Sequence, residues 1–392
     1  VDLTDVDASE QTAVLEAHAN RLQAGLDLSA GSLLRVAYFT LGQNRPGRLL
    51  IVVHHLAMDG VSWRILLEDL QLAYRQLSEN RPVQLPPKTT AFRDWAKRLD
   101  EYAQSEALKE EVGWWTAVPP TTSLPRDFDT PAANTEATAD SVTVSLTEAE
   151  TEALLREVPD VYRTEINDIL LTALAQTLGE WTGETAVCIH LEGHGREDLF
   201  DDSDVSHTIG WFTALYPVRL DLTGIGRPGE AIMAVKEQLR RLPRRGIGYG
   251  LLRYLCRDEA VSAAMQRLPQ PEVSFNYLGQ MDQAGGDAAL FGPAPESKGA
   301  ERSPQAQRTH LLEIDGGIMS SRLELAWSYS TQVHRRETIA RVAESYIDLL
   351  RALITHCQSP EAGGVTLSDV TDFGWEQDDL DDILSAIDGL GD

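Results

Sequence analysis

The chain has 392 residues, and its 34 Lys and Arg stand against 61 Asp and Glu for a net charge of −27. That length exceeds what one hydrophobic core usually serves, so two lobes are expected, and the acidic balance argues against a nucleic-acid surface. Three cysteines, at 188, 256 and 357, are too few and too widely spaced for a disulfide framework or a zinc motif; no apolar run reaches membrane-spanning length and no charged-then-apolar leader opens the chain, so a cytoplasmic protein without a membrane partner is expected.

In chain order, the first informative segment runs from Leu49 to Leu77. The apolar, β-branched residues Leu49 to Val53 predict a strand, Asp59-Gly60 stops it, and apolar residues recurring from Arg64 to Leu77 predict a helix. His54 and His55 then sit at the strand's end, where alternation sends them to opposite faces: one faces a cleft and the other packs or orients it. Imidazole titrates near neutrality, so a histidine fixed there can take a proton from a carbon acid or an amine and return it. A metal pair or a core histidine is the alternative reading.

After the aromatic pair Trp114-Trp115, the Pro-, Thr- and Ala-rich stretch Pro119 to Asp140 has linker character. It predicts an N-terminal lobe over 1–125, a linker over 126–140 and a C-terminal lobe over 141–372. Within the second lobe, Ala186 to Leu191 predicts a strand running into a loop with glycines at 193 and 195, and Glu192 lies at the strand's exit. Desolvation of a carboxylate there favours its protonated form and fits it to act as an acid; a loop cap or a pair with Arg196 is the plainer alternative. Cys188 reads as a buried strand thiol.

Further along, Lys236, Arg240, Arg241, Arg244, Arg245 and Arg253 make a basic cluster, which is either an anion-binding patch or the solvated, dipole-matched end of a helix. Glu272 to Phe275 predicts a strand with Asn276 and Tyr277 at its end, where an amide or a phenol can donate to an oxyanion or hold a substrate amine. At the C-terminus, Leu380, Ile383, Leu384 and Ile387 recur at helical spacing among Asp378, Asp379, Asp381 and Asp382, predicting a short acidic amphipathic helix in a 373–392 tail.

Several of these strings carry a family resemblance. His54-His55-Leu56-Ala57-Met58-Asp59-Gly60-Val61-Ser62-Trp63 is similar to the HHxxxDG signature of the condensation and epimerization domains of nonribosomal peptide synthetases. Glu192-Gly193-His194-Gly195-Arg196-Glu197 resembles the EGHGRE motif of the epimerization branch. Ile209 to Pro217, Gly246 to Tyr254 and Phe275-Asn276-Tyr277-Leu278-Gly279-Gln280 agree with that branch.

The resemblance implies an α/β (α+β) fold, a two-lobed pseudodimer like chloramphenicol acetyltransferase with a cleft or tunnel between lobes. It implies epimerization of the α-carbon of an aminoacyl or peptidyl thioester, held on the phosphopantetheine arm of a peptidyl carrier protein. The domain itself would bind no cofactor and no metal. His55 and Glu192 are then the expected proton carriers, His54, Asp59 and Gly60 orient or hold the loop, and Tyr277, Asn276 and, less directly, Ser62 contact the substrate or its enolate. Arg244 and Arg245 would meet the carrier or its arm, and the tail either packs on the domain or docks a downstream synthetase. Family members carry a helix and strands ahead of Val1, including an arginine that pairs with the motif's aspartate. The first lobe is therefore expected to be incomplete and Asp59 to lack that partner. A condensation domain using the same His55 on an amine, and a non-catalytic partner-recruiting relative, are the competing readings.

Overall fold

The computed structural model describes residues 1–117, 123–128, 133–280 and 290–370. The predicted tail at 373–392 and residues 129–132 of the expected linker lie outside them. The chain is a mixed α/β protein that divides into two compact units.

The first unit comprises residues 1–97, 198–213 and 283–306. Its strands β1 (Leu34–Phe39) and β2 (Arg48–Val53) form an antiparallel hairpin in which Leu34 opposes Val53 and Phe39 opposes Arg48. Alternation turns Phe39 inward, where it joins Leu3, Leu15 and Leu41 in a small core beneath the helix Gln11–Ala24, and leaves Leu34, Val36 and Tyr38 exposed on the other side. Arg48 Nε meets Glu296 Oε2 at 2.7 Å and so ties the hairpin to the late segment 283–306. The helix Gly60–Ser78 follows β2.

The second unit comprises residues 98–197, 214–282 and 307–392. Its six-stranded sheet contains β3 (Ala139–Ser145), β4 (Ala186–Gly193), β5 (Ala214–Asp221), β6 (Val273–Gln280), β7 (Leu312–Met319) and β8 (Arg322–Ser330), in the order β3-β8-β7-β6-β4-β5. The β4–β6 and β6–β7 pairs are parallel and the rest antiparallel. Side chains alternate between its two faces. Val187, Ile189 and Leu191 of β4, Val273 and Phe275 of β6, and Leu323, Leu325, Trp327 and Tyr329 of β8 enter one core with the helices Ile166–Thr182 and Arg336–Cys357. The opposite face carries Cys188, His190 and Glu192 of β4, Ser274 and Asn276 of β6, and Glu313 and Asp315 of β7.

Three sequence expectations change. The units are not consecutive blocks parted at 126–140: the first ends at Lys97 and is completed by two later segments, because compactness follows contacts between residues distant in sequence rather than chain order. Asn276 and Tyr277 lie inside β6, since the parallel pairing to β7 carries the strand on to Gln280. His54 lies past the end of β2, so strand alternation does not set the histidines' directions. Cys188, Cys256 and Cys357 are free, buried thiols, and burial pushes Cys188 up to about 12. Among the described residues no helix is long and apolar enough to cross a membrane, and no cluster of three or more His, Cys, Asp or Glu is arranged to hold a metal ion.

One buried ion pair closes the second unit. Lys236, 1% exposed on the helix Pro228–Arg240, donates to both carboxylate oxygens of Asp369 at 2.7 Å and to the Tyr162 carbonyl at 2.9 Å. Breaking a buried pair from one side leaves an uncompensated charge. Asp369→Asn should therefore destabilise the protein by about 3 kcal/mol in urea unfolding, and Asp369→Asn combined with Lys236→Met should recover part of that loss.

Candidate functional site

The first unit positions the histidine loop through Asp59. The chain leaves β2, His54 adopts an extended conformation, and its Nδ1 accepts the Leu56 N–H at 3.1 Å to cap the short 3-10 turn His55–Ala57. That bond fixes Nδ1 as the acceptor and orients the His54 ring. Asp59, 2% exposed, caps the helix Gly60–Ser78: its Oδ1 accepts the Ser62 N–H at 2.8 Å and lies 2.8 Å from the Ser62 hydroxyl. Its Oδ2 accepts the Phe212 N–H at 3.0 Å, and its own N–H donates to the Gly210 carbonyl at 3.0 Å. The Ser62 hydroxyl accepts the Gly210 N–H at 3.1 Å and shares its proton between Asp59 and the Gly210 carbonyl, 2.9 Å away.

The Ile209-Gly210-Trp211-Phe212 string is thus the clamp on the histidine loop. A Cβ on Gly210 would stand 2.3 Å from the Phe92 ring, so this approach requires glycine. Phe212 packs edge-on against Phe92, while Trp211 remains exposed with its ring centroid 5.5 Å from that of His55. His55 is exposed beside an indole wall, and His54 is the orienting member of the pair.

Ser62 departs from its expected role in substrate contact, because it is fully buried and its hydroxyl is engaged within the loop. Asp59 engages the loop through backbone amides and a hydroxyl. Gly60 opens the helix in open space, with no atom within 4 Å of an added Cβ, so the fold does not demand glycine there.

In the second unit, β4 delivers Glu192 half-buried at its end. Register pairs Leu191 with Phe275, which sets Glu192 beside Asn276, and the Asn276 amide donates to Glu192 Oε2 at 3.0 Å. The EGHGRE and FNYLGQ strings meet in this bond. Tyr277 occupies the opposite face of β6, against the core, where burial pushes its phenol up to about 12. The expected pairing of Asn276 and Tyr277 at one site is therefore divided by strand alternation. Beyond the strand, His194 is exposed, and its Nδ1 accepts the Arg196 N–H at 3.0 Å around Gly195, whose φ is 66°.

The basic cluster is largely consumed inside the second unit. Arg240 grips Asp168 with two bonds of 2.8 and 3.1 Å, Lys236 holds Asp369, and Arg244 pairs with the buried Glu111 beneath the Tyr102 ring. Arg244 is therefore a structural cation, which corrects its expected place at the carrier. It and Arg245 both take left-handed backbone, φ 43° and 51°, a cost that the Glu111 pair helps offset. Arg245 is exposed, with Glu197 at 3.8 Å.

Sequence reasoning missed a buried polar network beside Glu192. His190, 1% exposed and two residues earlier on the same face of β4, has Nδ1 2.7 Å from Nε2 of His310. Arg308 meets Glu313 of β7 at 3.2 Å, two strands away in the sheet. Period-two alternation from Glu192 would have flagged His190; nothing local points to His310, which is 120 residues away. Burial, reinforced by His310 and Arg253, lowers His190 to about 3, and burial lowers His310 as well.

The condensation-domain family model matches residues 1–372. The chain belongs to the condensation-domain family. It is 48% identical over 382 residues to a linear gramicidin synthase of Brevibacillus parabrevis, covering 97% of this chain and 8% of that protein. It is 42% identical over 392 residues to chondramide synthase cmdD of Chondromyces crocatus, covering 99% of this chain and 10% of that one. The chain thus spans a tenth or less of the length of these relatives. Among solved structures, the epimerization domain from the third module of tyrocidine synthetase B matches with a TM-score of 0.82 and 38% identity, covering 91% of this chain and 79% of that chain. The SgcC5 protein of Streptomyces globisporus matches at 0.63 and 18% identity, over 92% and 80%, and agrees in fold.

Two outcomes follow from the geometry. Asp59→Asn replaces an acceptor with a donor facing either Ser62 or Phe212, so urea unfolding followed by Trp emission should show about 1–3 kcal/mol of lost stability. The histidine network makes stability pH-dependent. His190 binds a proton near 6.5 when unfolded and only near 3 when folded, so its stabilisation is complete above 6.5 and lost as the pH falls from there toward 3. Urea midpoints should fall between pH 6.5 and 5.5 with a slope of about 1 kcal/mol per pH unit for each uncompensated proton, and His190→Gln should flatten that slope.

Proposed function

We propose that this condensation-family domain epimerizes the α-carbon of an aminoacyl or peptidyl thioester carried on the phosphopantetheine arm of a peptidyl carrier protein, within a nonribosomal peptide synthetase. The observation that carries the reading is the Glu192–Asn276 hydrogen bond. It holds a carboxylate at a strand exit on the polar face of the sheet, a position that acyl transfer from a single histidine does not require. The 38% identity to an epimerization domain supports the same choice.

Inversion breaks the α C–H bond on one face and forms it on the other, with the electron pair held meanwhile in the thioester enolate. Two proton carriers are needed, one beginning deprotonated and the other protonated. His55 and Glu192 are assigned to these roles. The exposed His55 ring beside Trp211 is available to exchange a proton with a carbon acid, and His54 keeps the turn beneath it fixed. Asn276 orients the Glu192 carboxyl, so that its proton is delivered along a defined direction. After inversion the carriers have exchanged states, so the reaction runs in both directions and yields a mixture of L and D forms. The carrier-bound thioester is the sole substrate, and the electron count closes without an oxidant or reductant.

The test is a carrier protein loaded with an aminoacyl or peptidyl thioester, incubated with the chain in heavy water without any acceptor and followed by mass spectrometry. Gain of one deuterium at the α-carbon is expected, with His55→Ala and Glu192→Gln each slowing it at least about 100-fold. Asn276→Ala, which removes only the orienting bond, should slow it about tenfold. If the carrier-bound residue acquires no deuterium until an acceptor amine is supplied and a peptide bond forms, the domain is a condensation catalyst using the same His55.

A further inference from the structure

The aromatic residues around the Asp59 loop do not share one fate. Phe212, 6% exposed, packs against Phe92 and Trp95 with ring centroids 5.1 and 6.3 Å apart, and Trp95 continues to Phe200 at 5.3 Å. Trp211, one residue earlier, is left out of this cluster and stands 42% exposed. Its ring meets His55 instead, with centroids 5.5 Å apart and the planes tilted by 49°. The position is nevertheless tightly held. Gly210 before it is bonded through its N–H to Ser62 and through its carbonyl to Ser62 and Asp59, and Phe212 after it gives its N–H to Asp59 Oδ2. Two fixed peptide groups thus carry an indole that the core does not use. Leaving so large an apolar surface in water is unfavourable, so packing does not account for a tryptophan at this place.

The chemistry of the pair does. An indole face attracts a cation that lies within about 6 Å of the ring centroid, and tryptophan does so more strongly than the other aromatic residues. His55 meets that distance. The Asp59 carboxylate is engaged by Ser62 and Phe212, so the indole is the group that the first unit sets against the imidazole. A carboxylate in that place would favour the charged ring strongly and keep it from starting as a base. The weaker pull of a π face leaves both protonation states accessible, as a reversible proton carrier requires.

We propose that Trp211 is a positioning residue for proton transfer, holding the His55 ring in place and stabilising its imidazolium form through the indole π face. The assignment rests on the epimerase reading, in which the α-proton passes from carbon to His55 while the electron pair of the broken C–H bond remains in the thioester enolate. His55 gains positive charge in that step. Attraction to the indole grows with the charge, and an interaction that is stronger in the transition state than before it lowers the barrier.

Deuterium uptake at the α-carbon of a carrier-bound aminoacyl thioester tests it. Site-specific replacement of Trp211 by mono-, di-, tri- and tetrafluorotryptophan weakens the π face while keeping the shape, and the rate should fall by a constant factor of about two for each fluorine. Trp211→Leu, apolar but without a π face, should slow uptake about tenfold and Trp211→Phe only about threefold, with the half-saturating concentration of loaded carrier unchanged in both. The side chain is exposed, so the urea midpoints of these variants should match that of the native chain. Trp211 emission, taken as the difference between the native chain and Trp211→Phe, should be quenched when the imidazole is protonated, and His55→Gln should abolish that quenching. Emission that ignores His55 overturns the proposal, and so does a raised half-saturation with kcat unchanged, which would make Trp211 a substrate contact. Uptake indifferent to fluorination overturns this assignment alone and leaves the epimerase reading standing. A native chain that takes up no deuterium overturns both.

Discussion

The buried carboxylate of Asp59 is the constraint on which the histidine loop depends. With one oxygen it starts the helix Gly60–Ser78 and engages Ser62; with the other it holds the Phe212 amide, while its own N–H binds the Gly210 carbonyl. Two strings distant in the chain thereby become one loop, and the exposed His55 ring is set beside Trp211. Buried polar groups are stable only when their hydrogen-bonding capacity is met. The arrangement therefore has little freedom to drift, and His55 inherits that rigidity without being buried itself.

The large sheet solves a different problem. Its strands turn every second residue into the helical core, and the residues between them collect on a face that is polar yet partly closed from water. There Glu192 is met by Asn276, His190 by His310, and Arg308 by Glu313. Each group has a named partner from a distant part of the chain, as a low-dielectric surface favours. Keeping the histidines neutral has a cost in acid stability.

Cations in the second unit serve mostly as internal clamps. Lys236, Arg240 and Arg244 each neutralise a buried carboxylate, from Asp369, Asp168 and Glu111 in turn, so the apparent basic patch has much less positive field than its sequence suggests. Of the exposed arginines, Arg219 pairs with Asp221 at 2.5 Å, Arg245 stands 3.8 Å from Glu197, and Arg241 acts on Glu237. Lys236 ties Asp369 to the helix Pro228–Arg240.

Much of this was legible from residue order. The apolar run into His54-His55, the stop at Asp59-Gly60 and the following helical period placed the strand, loop and helix; the strand into Glu192 and its glycine-bearing loop were equally plain, and the motifs carried the family. These are local patterns, written in neighbouring residues by periods of about 2 and 3.6. Tertiary structure alone decided which partners those residues met. Register put Asn276 against Glu192 and sent Tyr277 to the core, the Gly210 approach took Ser62 out of reach of substrate, and Glu111 claimed Arg244. Two late segments completed a unit that chain order would have closed near residue 125. Pairings of this kind depend on through-space distances between residues as far apart in the chain as Arg48 and Glu296, and no local period encodes them.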